Sequence, residues 1–248
     1  MRSVLFVGLF LLLSLGATAQ TITVSNLLNP DAPVARQTLA LIEGQSFTDV
    51  EENDPIFAPT SLGGVTVRLD GVLQQIQSVA PTRVVIIVQG AGRAVREVEL
   101  RTKFNVIHRV SIAVATVWPG LLVQNQASES ELFYPFAQWT LDGVNRTIVS
   151  SDPIPVGPRS RPTLVILQGV GFRLGKASGD ISVRLNGIPC TVASVNPSPL
   201  FVGQDELIFQ LPTFLANNGV MDLTVSVAGR NANFARLNLG VALGLTGK

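Results

Sequence analysis

Cysteine is nearly absent: Cys190 is the only one in 248 residues. A single thiol excludes an internal disulfide, so stability has to come from packed apolar cores. Histidine is as scarce, with His108 alone, and one histidine with one cysteine excludes the usual zinc clusters. Charge is sparse and balanced, at 14% charged residues and a formal net charge of +1. So neutral a chain favours neither nucleic acid nor an acidic membrane surface. Past residue 19 no apolar run approaches the roughly 20 residues of a membrane-spanning helix, so no span is expected in the mature chain. Helical periodicity is missing too, apart from a single turn expected within Pro212 to Asn218.

The N-terminus carries what the rest lacks. Arg2 supplies a positive charge, and Val4 to Leu15 is an apolar run broken only by Gly8 and Ser14. Ala17-Thr18-Ala19 then has the small-x-small pattern of a cleavage site. Residues 1–19 read as a signal peptide, with Gln20 starting a mature chain that is secreted or periplasmic. The run is too short for an anchor. About 229 residues remain, which suits one large or two small domains.

The chain repeats itself. Thr38 to Phe47 resembles Thr163 to Phe172, at an offset of 125. Val65 to Val72 resembles Ile181 to Ile188, and Ile76 to Pro81 resembles Val192 to Pro197, both at an offset of 116. The nine-residue change lies between Phe47 and Val65. Each block alternates as a half-buried strand does: Val65, Val67 and Leu69 face one way, and Thr66, Arg68 and Asp70 the other. Asp70-Gly71 and Asn186-Gly187 are pairs favoured in tight type I′ hairpins, where both central residues need positive φ. Later strands are expected at Arg83 to Val88, Glu97 to Thr102 and Val110 to Val114, and again at Glu206 to Leu211, Met221 to Val227 and Phe234 to Leu239. Phe133 to Trp139 and Arg146 to Val149, joined through Asp142-Gly143, read as an aromatic hairpin. Asp152 to Pro162 is Pro-rich and reads as a boundary.

Several of these blocks carry a family likeness. Gly169-Val170-Gly171, Asn186-Gly187, Gln204 to Pro212 and Gly229 to Asn233 resemble a repeated C-terminal module of secreted acidobacterial proteins. That module is itself similar to IPT/TIG immunoglobulin-like domains. The resemblance covers most of residues 37 to 240 and implies fold and export, but no particular activity. Unit one follows it at Pro59 to Val72 and departs after Pro81, where Arg83 to Val88 replaces the family's strand.

Sharper chemistry finds little support. Gly90-Ala91-Gly92-Arg93 follows a strand as a dinucleotide turn does, yet Arg96 to Arg101 continues as a strand rather than a helix. Leu167 to Gly171 fails in the same way, because Lys176 to Gly179 reads as a loop. No nucleophile stands beside a base, and Cys190 shares the parity of apolar Ile188 and Val192, so no catalytic site is expected. Asp49, Glu51, Glu52 and Asp54 form an acidic loop with no calcium-loop spacing. Asn145-Arg146-Thr147 fits a glycosylation acceptor, an accidental match if the source is bacterial, as the resemblance implies.

The expectation is an all-β protein: two tandem immunoglobulin-like β-sandwich modules at residues 20–118 and 162–248. A hairpin segment at residues 119–161 joins them, and no cofactor or metal is expected. Its role would be non-catalytic, in adhesion, assembly or spacing at or outside the cell surface, with a protein or glycan partner. The alternative is glycan binding by Phe133, Tyr134, Phe136 and Trp139, since exposed aromatic rings stack on sugars. Burial at the junction competes with that reading.

Overall fold

The computed structural model describes residues 21–90, 94–124, 135–148, 152–176 and 180–242. The signal-peptide reading, Ala91 to Arg93, Phe133 and Tyr134 fall outside the described residues.

The first half contains β1 (Thr23–Asn26), β2 (Val34–Ala35), β3 (Leu39–Glu43), β4 (Glu52–Asn53) and β5 (Thr66–Leu69). It continues with β6 (Val72–Leu73), β7 (Gln75–Ala80), β8 (Arg83–Ile87), β9 (Val95–Arg101) and β10 (Ile107–Ala115). Two five-stranded sheets result, ordered β1-β3-β8-β7-β4 and β2-β10-β9-β5-β6. Between them lies one core, with Ile42, Phe47, Val67, Leu69, Ile76 and Leu100 among its fully buried side chains. The chain therefore completes a two-layered unit after Pro81, because Arg83 to Val88 still supplies alternate buried residues to one layer.

The second half contains β11 (Gly120–Leu121), β12 (Ala137–Leu141), β13 (Val144–Thr147), β14 (Ile154–Val156) and β15 (Leu164–Val170). A helical turn α1 (Arg173–Lys176) precedes β16 (Ile181–Leu185), β17 (Ile188–Pro197) and β18 (Asp205–Gln210). The last strands are β19 (Gly219–Val227), β20 (Arg230–Asn231) and β21 (Ala235–Ala242). The pairing path runs β13-β12-β15-β18-β17-β16-β19-β21-β14. Strand β17 pairs with β16 up to Cys190 and with β18 from Thr191, so it passes from one layer to the other. The expected all-β, immunoglobulin-like sandwich is what forms.

The repeat is faithful at the level of single hydrogen bonds. Asp70 and Asn186 both adopt φ near +50° with a positive-φ glycine following, the geometry of the type I′ turn. The Asp70 side chain accepts from the Glu97 N–H (2.9 Å), and that of Asn186 from the Asp222 N–H (2.7 Å). A bulge interrupts β7 between Ile76 and Ser78, and β17 between Val192 and Ser194. The buried Thr38 hydroxyl donates to the Ala35 carbonyl, and the buried Thr163 hydroxyl to that of Pro155, each at 2.7 Å. Both bonds fix a short strand that runs parallel to the last strand of its unit.

Two expectations change. Residues 119–161 were set between the modules, but their described parts are woven into the second unit. Strands β11 and β12 pair with β15, and Leu121, Val123, Ala137, Ile148, Ile154 and Val156 join its core. Alternating apolar residues need a layer to cover them, and this is the layer at hand. Lys176, expected in a loop, closes the α1 turn instead.

The units meet through a third apolar cluster, in which Leu28, Leu39, Ala58 and Ile87 pack with Val170. Val202 N–H donates to the Pro55 carbonyl (3.0 Å), and Gln77 Nε2 to the Val202 carbonyl (2.7 Å). Gly203 sits at φ +82°, and a Cβ there would lie 2.7 Å from the Ile87 side chain. The loop containing the extra residues of unit one thus touches the 198–203 loop of unit two.

Candidate functional site

The aromatic segment does not form one platform among the described residues. Trp139 is half-buried against the second core, on the same strand face as buried Ala137. Phe136 is 50% exposed and lies with Gln138 on the opposite parity. The Arg146 guanidinium covers the Trp139 ring at 5.8 Å. Phe133 and Tyr134 lie outside the described residues.

Three carboxylates of the acidic loop are engaged by nearby protein groups. Asp49 pairs with Lys103, whose hydrogen bond holds the carboxyl below its ordinary value. Glu52 Oε2 accepts from the Gly63 N–H (3.0 Å), and Asp54 Oδ1 from the Phe57 N–H (3.1 Å). No group of three metal-ligating side chains occurs among the described residues. Cys190 lies in the second core, and burial pushes its thiol up to about 11. His108 is buried in the first unit, edge-on to Phe47 at 6.0 Å. The structure therefore does not bring this cysteine and histidine together as a nucleophile and base.

What the sequence did not reveal is a cleft of about 450 Å³ where the two units meet. Its size falls within the usual range for ligand pockets, roughly 300–1,000 Å³. One wall is the turn between β2 and β3. Gln37 is held at φ +55°, with its N–H bonded to the Val88 carbonyl (2.8 Å). Arg36 N–H bonds the Ala115 carbonyl (3.3 Å). These anchors set the Arg36 and Gln37 side chains on the cleft. Arg36 Nε and Gln37 Oε1 are shut off from solvent with no hydrogen-bond partner among the described residues. Buried polar atoms are nearly always paired, so two adjacent exceptions are notable.

The opposite wall comes from the second unit. Arg173 leads into α1 and is pinned by Asp205, which is fully buried. One Asp205 oxygen also accepts from the N–H groups of Phe172 (2.8 Å) and Arg173 (3.1 Å). Burial raises the Asp205 carboxyl, and the Arg173 contacts and the Phe172 N–H oppose that shift. Gln204 and Ser198 stand beside it. The floor holds Gln75 and Gln89, joined amide to amide, with apolar Ile87. Among the described residues, no Asp or Glu lines the cleft. Arg36, Arg173 and Gln204 lie far apart in sequence with no local pattern, so periodicity gave no signal for the site.

Comparison with known proteins locates the second unit. Residues 147–239 match the IPT/TIG domain. The matched span runs from the end of β13 into β21 and covers most of the IPT/TIG-like unit's strands. Domains 5-6 of the S-layer protein SbsC are similar in structure, at 12% identity and a TM-score of 0.25, over 90% of this chain and 98% of that one. That likeness is too loose to carry any residue across. No curated protein matches the chain in sequence.

In the IPT/TIG-like unit, the Gly229 to Asn233 turn has a clear task. Asn233 Oδ1 accepts from the Leu121 N–H (2.7 Å) and Nδ2 donates to the Leu121 carbonyl (3.0 Å). One amide side chain thus imitates a strand partner and fastens β11. Arg230 stacks over Trp118 at 5.2 Å, which secures the passage between the units.

Proposed function

We propose that the chain is an exported, non-catalytic interaction and spacer protein that engages a partner by strand addition along β10. The observation that carries this reading is a sheet edge left open among the described residues. Strand β10 pairs with β9 over Ile107 to Ala113, but with β2 only at Val114 and Ala115. The Glu97 backbone is committed to Asp70 on the β5 side. Its opposite residue Ser111 therefore turns its own N–H and carbonyl away from β9. By the same alternation, Ile107 and Arg109 present theirs to the open edge. Such a row of unpaired groups is a template for another strand. Of the longer edges, β10 contains neither proline nor glycine, whereas β17 contains Pro189 and Pro197. The apolar seam between the units supports the spacer role, because docked sandwiches keep their ends apart.

A second reading is glycan binding by the hairpin, with Phe133, Tyr134, Phe136 and Trp139 as its residues. The exposure of Phe136 favours it. One assay separates the two: retention of the purified mature chain on isolated cell envelopes. Ser111→Pro removes an outward-facing donor, a change tolerated on an edge strand. It is expected to weaken retention about tenfold while the unfolding midpoint holds. Retention that survives Ser111→Pro but is lost with Phe136→Ala favours the glycan reading, and a turnover abolished by one point change would sink both.

A further inference from the structure

We infer that the cleft between the units binds an acidic oligosaccharide, with a uronate carboxylate held by Arg36 and Arg173. This site is separate from the β10 edge and from the aromatic hairpin, and rests on neither.

Charge is the first argument. Among the described residues, the cleft carries two guanidinium groups and no lining carboxylate. Arg173 is balanced by Asp205 behind it. Arg36 has no carboxylate within ion-pair distance among the described residues, and its Nε is already shut off from water. A guanidinium that has lost part of its hydration without gaining an anion is costly, and a ligand carboxylate supplies the missing partner. Arg173 is pre-organised for the same task, because its own N–H and its Nε both donate to the buried Asp205, and the neighbouring Phe172 N–H does so too, before any ligand arrives.

The remaining lining decides the class of ligand. Gln37, Gln75, Gln89 and Gln204 bring carboxamides, each with a donor and an acceptor. Gln37 Oε1 has no donor among the described residues. Sugar hydroxyls offer donor and acceptor together at each ring carbon, which matches such a lining. Ile87 and Val202 add apolar surface for the C–H face of a ring. An acidic peptide fits less well, since extended peptides dock on a sheet edge, and the Arg36–Gln37 and 198–203 walls are turns.

Gly203 ties the site to the seam. Its close approach to Ile87 sets the 198–203 loop against the first unit, and Ser198, Phe201, Val202 and Gly203 of that loop line the cleft. The site therefore exists only in the docked pair.

The test is isothermal titration of the purified mature chain with tri-galacturonate, maltotriose and tri-glutamate. Saturable binding of tri-galacturonate is expected, with maltotriose at least about tenfold weaker for want of the carboxylate. Arg36→Gln should weaken tri-galacturonate binding about tenfold or more with an unchanged unfolding midpoint. Gln204→Leu provides a second variant should Arg36→Gln disturb folding, and it too should weaken binding. Phe136→Ala should leave the affinity unchanged. The inference is overturned by absence of tri-galacturonate binding, by equal binding in both cleft variants, or by tri-glutamate binding as tightly. Loss of binding on Phe136→Ala would overturn it as well, by placing the sugar on the hairpin.

Discussion

Gln74 and Cys190 stand at the same place in the two units, 116 residues apart, where the chain crosses from one sheet to the other. Both are buried. Gln74 is polar and fully engaged: its Oε1 accepts from the Gln89 N–H (2.7 Å) and its Nε2 donates to the Val72 carbonyl (2.8 Å). The Cys190 thiol lies in the apolar core, with the Ile188 carbonyl a distant 3.9 Å away. A second pair behaves in the reverse sense. Phe47 N–H donates to the Pro81 carbonyl, whereas its counterpart Phe172 donates to the carboxylate of buried Asp205. Unit one keeps exposed Thr82 where unit two has that aspartate. The same fold therefore tolerates polar or apolar residues at a buried crossing, provided each polar group finds a partner.

The comparison is most easily broken at Asp205. Asp205→Ala leaves Arg173 and two buried N–H groups without an acceptor. It is expected to cost about 3 kcal/mol, the lower end for a broken buried pair, because Arg173 stays partly hydrated. Thr82→Ala should fall within about 0.5 kcal/mol. Chemical denaturation of both variants checks this, and similar costs would mean that unit two does not depend on its buried carboxylate.

A smaller contrast is expected at the crossing. Gln74→Leu should destabilise by about 1–3 kcal/mol, because the Gln89 N–H loses its acceptor. Cys190→Val, an apolar swap that adds about one methyl group at a site not fully enclosed, should cost under about 1.5 kcal/mol. Urea midpoints measured side by side decide the order, and a reversed order would show that packing outweighs hydrogen bonding there.

The smallest effect is in pH. The Cys190 thiol titrates near 11 in the folded chain, against an ordinary value of 9.0. Between those values the unfolded chain has lost the proton and the folded chain retains it. Stability therefore falls as pH rises through that window. Cys190→Val should flatten this alkaline decline, read as urea midpoints at about pH 8 and about pH 10.5. Unit one, with Gln74 at the crossing, has no matching titration.

Much of the fold was legible in advance. Val65, Val67 and Leu69 alternate because a half-buried strand has a period of two, and the Asp70-Gly71 and Asn186-Gly187 turns follow from the need for positive φ. The segment at residues 119–161 was harder to place. Leu121, Ile154 and Val156 announce burial but not the layer that buries them. Asn233 was visible within a turn, yet its partner Leu121 lies 112 residues away. The cleft was not legible at all, since Arg36 and Gln204 are brought together only when two sandwiches dock.

The sequence by itself determined the strands, their inward faces, the two tight hairpins and the duplication, because these depend on residues within a few positions of one another. Among the described residues, only the tertiary structure decided which layer takes the described parts of 119–161, that the edge of β10 stays open, and that Arg36 faces a cleft without a carboxylate. Those outcomes depend on contacts between segments that are distant along the chain, and hydrophobic burial, being non-directional, does not encode them in local pattern.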